Sequence, residues 1–161
     1  MTGPHGYKTI DFTTNGIFQG YRWYDRFEVE PLFAFGHGLS YMRFQYADLD
    51  IDDARSGGLD VSFVVRNVGH RAGAEVPQVY LGAPNQSPPG VDFAVKQLAG
   101  FTRVALRPGQ ATRVTVRIDP RDLSYWSVAQ HDWSVAGGPR AIFVGASSRD
   151  IRLRGKVRIA R

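Results

Sequence analysis

No cysteine occurs among the 161 residues, which excludes disulfide bridges, thiolate metal sites and a cysteine nucleophile together. Long apolar runs are missing too. None approaches the roughly 18 residues that a membrane-spanning helix needs, so a membrane is not among the expected partners. The opening Met1-Thr-Gly-Pro-His-Gly lacks a charged stretch followed by an apolar one, and does not read as a signal peptide. Localisation is left open by these features. Excess charge is also absent from most of the chain. The last thirteen residues, RDIRLRGKVRIAR, hold six basic groups and one acid and so carry the entire net charge of +5. The protein is thus a balanced domain ending in one basic element, not a chain that is basic throughout.

Alternation is the dominant pattern. Leu59, Val61, Phe63 and Val65 interleave with Asp60, Ser62, Val64 and Arg66, as in a strand with one buried face. Val114, Val116 and Ile118 repeat the pattern. So do Ile151, Leu153, Val157 and Ile159, with Gly155 in the apolar register and Arg152, Arg154, Lys156 and Arg158 opposite. Further strands are expected within 44–51, 75–82, 96–106 and 141–146, and Pro77 inside one run marks an edge or a bulge. Turn residues separate the runs at Ser56-Gly57-Gly58, Asn67-Val68-Gly69, 85–90, Arg107-Pro108-Gly109-Gln110 and Gly137-Gly138-Pro139. No helical periodicity extends beyond about two turns. The predicted fold class is all-β: a two-sheet antiparallel sandwich of the immunoglobulin or fibronectin type III kind over residues 44–161. Residues 1–43 are rich in aromatics and glycine, follow neither period, and read as an irregular N-terminal extension or interdomain connector.

Enzyme motifs fail one after another. His5, His37, His70 and His131 are scattered through expected loops without metal-ligand spacing, and no cofactor is called for. Gly38-Leu39-Ser40-Tyr41-Met42 starts like a nucleophile elbow but has Met where the second Gly belongs. Gly36-His37-Gly38 is too short for a phosphate loop. Asp48, Asp50 and Asp52 alternate like residues on one strand face but lack the Gly and Glu positions of a calcium loop, and read as an exposed acidic strand end. Asp25, Glu28 and Glu30 have no opposing wall to make a glycosidase carboxylate pair. The basic C-terminal row has no aromatic within the last 18 residues, so a nucleic-acid partner is not expected.

Several stretches are less generic: Tyr21-Arg-Trp-Tyr-Asp25, Glu30-Pro-Leu-Phe-Ala-Phe-Gly-His-Gly-Leu-Ser-Tyr41 and Val65-Arg-Asn-Val-Gly-His-Arg-Ala-Gly-Ala-Glu-Val-Pro-Gln-Val-Tyr80. They continue with Leu98-Ala-Gly-Phe-Thr-Arg-Val-Ala-Leu-Arg-Pro-Gly-Gln110, Asp122-Leu-Ser-Tyr-Trp126, Trp133 and Val144-Gly-Ala-Ser-Ser-Arg-Asp-Ile-Arg-Leu153. In order and spacing this set resembles the C-terminal fibronectin type III-like domain of family 3 glycoside hydrolases, the β-glucosidase and β-xylosidase group, over roughly residues 16–153. Ala34 stands where the family usually has proline, and Asn15 where it usually has an acid.

The resemblance implies a part of a β-glucosidase-like enzyme whose chemistry lies elsewhere. The family's nucleophile is an aspartate on a (β/α)₈ barrel, which needs roughly 250 residues; no residue here matches that motif, and no catalytic residue is assigned. The implied role is a non-catalytic accessory domain that docks on and stabilises the catalytic domains, its partners in cis or in trans. Large aromatics and arginine are the usual interface anchors, which singles out Tyr21, Arg22, Trp23, Tyr24, Phe35, His37 and Tyr41 for docking. The alternative is a free-standing carbohydrate-binding or adhesion module of the same fold, with Phe93, Trp126 and Trp133 offering sugar-binding platforms.

Overall fold

The computed structural model describes residues 12–38, 42–55 and 57–160. Among the described residues two short helices, α1 (Phe12–Asn15) and α2 (Tyr21–Arg26), precede eleven strands. These are β1 (Phe44–Asp53), β2 (Leu59–Asn67), β3 (Gly73–Glu75), β4 (Gln78–Gly82), β5 (Lys96–Phe101), β6 (Val104–Leu106), β7 (Ala111–Ile118), β8 (Ser124–Ser127), β9 (Asp132–Val135), β10 (Gly138–Gly145) and β11 (Ile151–Ile159). One sheet has the order β1-β2-β7 and the other β11-β10-β4-β5, with every pairing antiparallel. The two-ribbon pairs β3-β6 and β8-β9 lie outside them. This is the expected all-β sandwich.

Its core follows the alternation. Leu59, Val61, Phe63 and Val65 of β2 and Ile118 of β7 face Val79 and Leu81 of β4 and Ile142 and Val144 of β10, all fully buried. Removing such aliphatic and aromatic side chains from water stabilises by roughly 1.5–3 kcal/mol each. Buried Asn67 ties the far end together: its Nδ2 donates to the carbonyls of Arg71 (2.8 Å) and Leu106 (3.0 Å), and its Oδ1 accepts from the Gly69 amide (2.8 Å).

Three local expectations are revised. Pro77 divides the run 75–82 into β3 and β4, which pair with different partners. Proline has no N–H for a ladder, while its carbonyl accepts from the Thr102 amide at 3.2 Å. Gly138 and Pro139 belong to β10 rather than preceding it. In β1, the inward Phe44 and Tyr46 would be followed by Asp48 if alternation held. A register shift between Ala47 and Asp50, with Asp48 at φ 53°, inserts one residue instead. Leu49 and Ile51 thereby reach the core, and Asp48, Asp50 and Asp52 remain exposed.

The open edge between the sheets is closed where β1 meets β11. Arg152 Nη1 donates to the Phe44 carbonyl at 2.8 Å. Gly155 lies under the side chains of Leu49 and Ile51, where a Cβ would come within 2.7 Å of Ile51 Cδ1.

Candidate docking surface and aromatic groove

The segment before β1 has no alternation to orient it, yet it is held firmly against the sandwich. Leu98, Tyr80, Phe143 and Arg154 are register partners across β5, β4, β10 and β11, and so mark the outer face of that sheet. Tyr80 has no exposed surface because the segment covers it. The Tyr21 ring meets Tyr80 edge-on at 6.0 Å and stacks on Phe35 at 4.7 Å. Its hydroxyl accepts from the Leu98 amide at 2.8 Å, and burial raises its phenol above the ordinary value while that hydrogen bond opposes the rise.

Helix α2 is entered through Gly20 at φ 56° and closed by the Val29 amide donating to the Tyr24 carbonyl at 3.0 Å, with Glu28 at φ 54° reversing the chain. The helix turns Asp25 inward, where Lys96 Nζ lies 2.5 Å from Oδ2 and Arg149 Nη2 lies 3.5 Å from Oδ1. Arg149 Nη2 also donates to the carbonyls of Val29 (2.9 Å) and Tyr24 (3.3 Å). Further along, the Ser148 amide donates to the Phe35 carbonyl at 2.9 Å. Gly36, at φ 79°, lies against the Gln78 side chain with no room for a Cβ.

What this clamp presents outward is apolar. Leu32 is 90% exposed and Phe33 74%, and Phe27, Val29 and Phe35 are exposed beside them along the same turn. His37 is exposed, its ring stacked on Phe33 at 6.2 Å. Trp23 packs against Tyr24 (5.3 Å) and Phe27 (5.0 Å), leaving both Trp23 and Tyr24 half-buried. Of the residues expected at a docking face, Tyr21 therefore faces the sandwich, while Phe35 and His37 stand on the exposed turn. Trp23 and Tyr24 flank that turn, and Tyr41 lies outside the described residues. Phe27, Leu32 and Phe33 were not foreseen, because an aromatic segment without a period does not reveal which side chains point inward. Nor were Lys96 and Arg149, which lie 71 and 124 positions from Asp25.

Arg22 opens onto a groove of about 830 Å³ between α2, the 88–93 loop and β8, lined by Phe93, Tyr125 and Trp126 among others. Phe93 and Tyr125 meet edge-on at 5.9 Å. Trp126 and Trp133 are directly paired across the β8-β9 ribbon, with rings at 66° and 5.5 Å, so they form no common plane. Trp133 does not line the groove, and the Arg121 guanidinium covers one of its faces at 3.3 Å.

Residues 75–148 match the family described as Fibronectin type III-like domain. The match to known proteins is wider. The probable β-glucosidase D of Aspergillus flavus is 42% identical over 88% of this chain. The crystal structure of DesR, a β-glucosidase from Streptomyces venezuelae in complex with D-glucose, superposes with a TM-score of 0.88 at 42% identity over 92% of this chain. This chain is a fibronectin type III-like domain of the family 3 β-glucosidase kind. The domain also superposes on β-D-glucoside glucohydrolase from Trichoderma reesei, with a TM-score of 0.86 and 36% identity over 98% of its length. It spans about a fifth to a quarter of each: 21% of the Aspergillus protein, 19% of DesR and 25% of the Trichoderma enzyme. Among the described residues no helix is long and apolar enough to cross a membrane.

Proposed function

We propose that this chain serves as a non-catalytic accessory domain that docks on and stabilises the catalytic domains of a family 3 β-glucosidase-like glycoside hydrolase. In this reading residues 1–43 are the connector and residues 44–161 the sandwich. One observation carries it: a turn bearing exposed Phe27, Val29, Leu32, Phe33 and Phe35 is fixed to the sandwich by hydrogen bonds and a buried ion pair. A contiguous apolar surface on an ordered support is what an interface needs, and it is an unfavourable thing to leave in water. Covering Leu32 and Phe33 alone would contribute roughly 3–6 kcal/mol of gross hydrophobic stabilisation. The relatives supply the partner class, since each is a β-glucosidase several times longer than the region matched.

The test mixes the chain with the core of a related β-glucosidase from which the matching region has been deleted. Co-elution and recovered hydrolysis of an aryl β-glucoside are expected, with both lost in a Leu32→Asp/Phe33→Asp variant. Hydrolysis by the chain alone would refute the reading, and so would docking that the double variant leaves intact.

A further inference from the structure

The geometry points to a saccharide-binding groove at Trp126, separate from the exposed turn: none of the apolar residues of that turn lines it. Its volume of about 830 Å³ lies within the roughly 300–1,000 Å³ typical of small-ligand sites. One wall is aromatic. Phe93 and Tyr125 hold each other edge-on, and Trp133 with its Arg121 cover buttresses Trp126 from across the ribbon. Trp126 itself is 47% exposed, the one indole that both lines the groove and stays accessible.

The rest of the lining selects the ligand. Arg22, Asp92 and Gln97 reach the groove, and none of their side chains makes a hydrogen bond or ion pair among the described residues. The groove thus offers one cation, one anion and one amide beside the part-exposed Trp126 indole. The two charges cancel, which disfavours a strongly anionic or cationic ligand. A purely apolar ligand would strip water from three polar groups and return no hydrogen bonds. A neutral pyranose satisfies both demands: its C–H face lies on the indole, and its hydroxyl rim donates to Asp92 and accepts from Arg22 and Gln97. We therefore assign the groove to a neutral mono- or disaccharide unit.

The experiment titrates the full chain with cellobiose, followed by calorimetry and tryptophan fluorescence, with acyclic mannitol as a control that has hydroxyls but no flat ring face. Saturable cellobiose binding with a Kd of about 1 mM is expected, weakened about tenfold or more in Trp126→Ala, with no response to mannitol. Should Trp126→Ala unfold, an Asp92→Ala/Gln97→Ala variant, which removes only unpartnered side chains, decides the matter by the same loss. The assignment is overturned if cellobiose shows no saturable effect up to about 50 mM, if mannitol binds equally well, or if binding survives the substitutions in a folded protein. Leu32→Asp/Phe33→Asp leaves saccharide binding unchanged, so failure of docking and failure of this site are distinguishable.

Discussion

The Lys96 ammonium and the Asp25 carboxylate, 71 positions apart in the chain, form a buried ion pair at 2.5 Å. This contact couples the non-repetitive N-terminal segment to strand β5. Arg149 adds a second, longer interaction with the same carboxylate at 3.5 Å. Removing one member leaves the other without its main partner in a site that excludes water. Lys96→Met is therefore expected to destabilise by about 3 kcal/mol in urea denaturation, because breaking one side of a buried pair is far worse than replacing both. The Asp25→Asn/Lys96→Met double variant should recover part of that loss. Limited proteolysis should also cut residues 16–38 sooner in the single variant than in the parent.

A comparison of two glycines separates backbone strain from steric contact. Gly58 and Gly109 share nearly the same conformation, at φ 79° and 74°. A Cβ on Gly58 would lie 2.2 Å from the Ile118 carbonyl oxygen, whereas Gly109 has nothing within 4 Å. Gly109→Ala should destabilise by about 1 kcal/mol, the left-handed strain alone. Gly58→Ala should destabilise by more than twice that, because strand β7 must move to make room. Thermal melts of the two variants give the difference directly.

Asp150 makes three hydrogen-bond contacts with Arg152, the shortest from Nη2 to Oδ2 at 2.7 Å. Those bonds hold its carboxyl below the ordinary value of 3.8, against an opposing effect of burial. The folded state then binds the proton less readily than the unfolded state. Stability from this pair is fully present above the unfolded value, declines as pH falls below it, and is gone below the depressed folded value. Asp150→Asn should be less stable than the parent at pH 7 and should show a shallower acid decline, measured by urea midpoints across that range.

Leu32 and Phe33 touch little of their own domain, so Leu32→Asp/Phe33→Asp should shift the thermal midpoint by no more than a few degrees. Solubility should rise, and any concentration-dependent self-association of the isolated chain should diminish. Analytical ultracentrifugation at two concentrations measures this. A large fall in midpoint would mean that the turn packs on the domain itself.

The extent to which the sequence disclosed the fold depended on period. In β2 the inward positions 59 to 65 are apolar and every expected core residue is buried, because alternation over nine residues permits a single facing; only the last inward position, Asn67, is polar, and it is fully hydrogen-bonded. In β1 the aspartates at 48, 50 and 52 preserved apparent alternation through a bulge, and only the backbone at Asp48 betrays the inserted residue. Ribbon β8-β9 escaped notice because SYWS and DWSV are short and place Trp126 and Trp133 half-exposed. At the candidate surfaces the aromatic residues were conspicuous and their directions were not. Tyr21 and Phe33 look alike in sequence, yet one is clamped over Tyr80 and the other faces water. Their difference is set by Asp25, Lys96 and Arg149, whose pairing spans most of the chain and leaves no local pattern.

The way Arg149 grips the Tyr24 and Val29 carbonyls has a mechanical consequence. The residue stands in the turn between β10 and β11, so the N-terminal segment is fastened near the last strand rather than hanging from the first. A pull on that segment is carried by the Asp25 clamp and the β10-β11 turn before it reaches Phe44. Strand β1 is thereby shielded from being peeled off its sheet one hydrogen bond at a time. The load falls on several contacts at once, so the sandwich should resist tension on its N-terminal side as a single block.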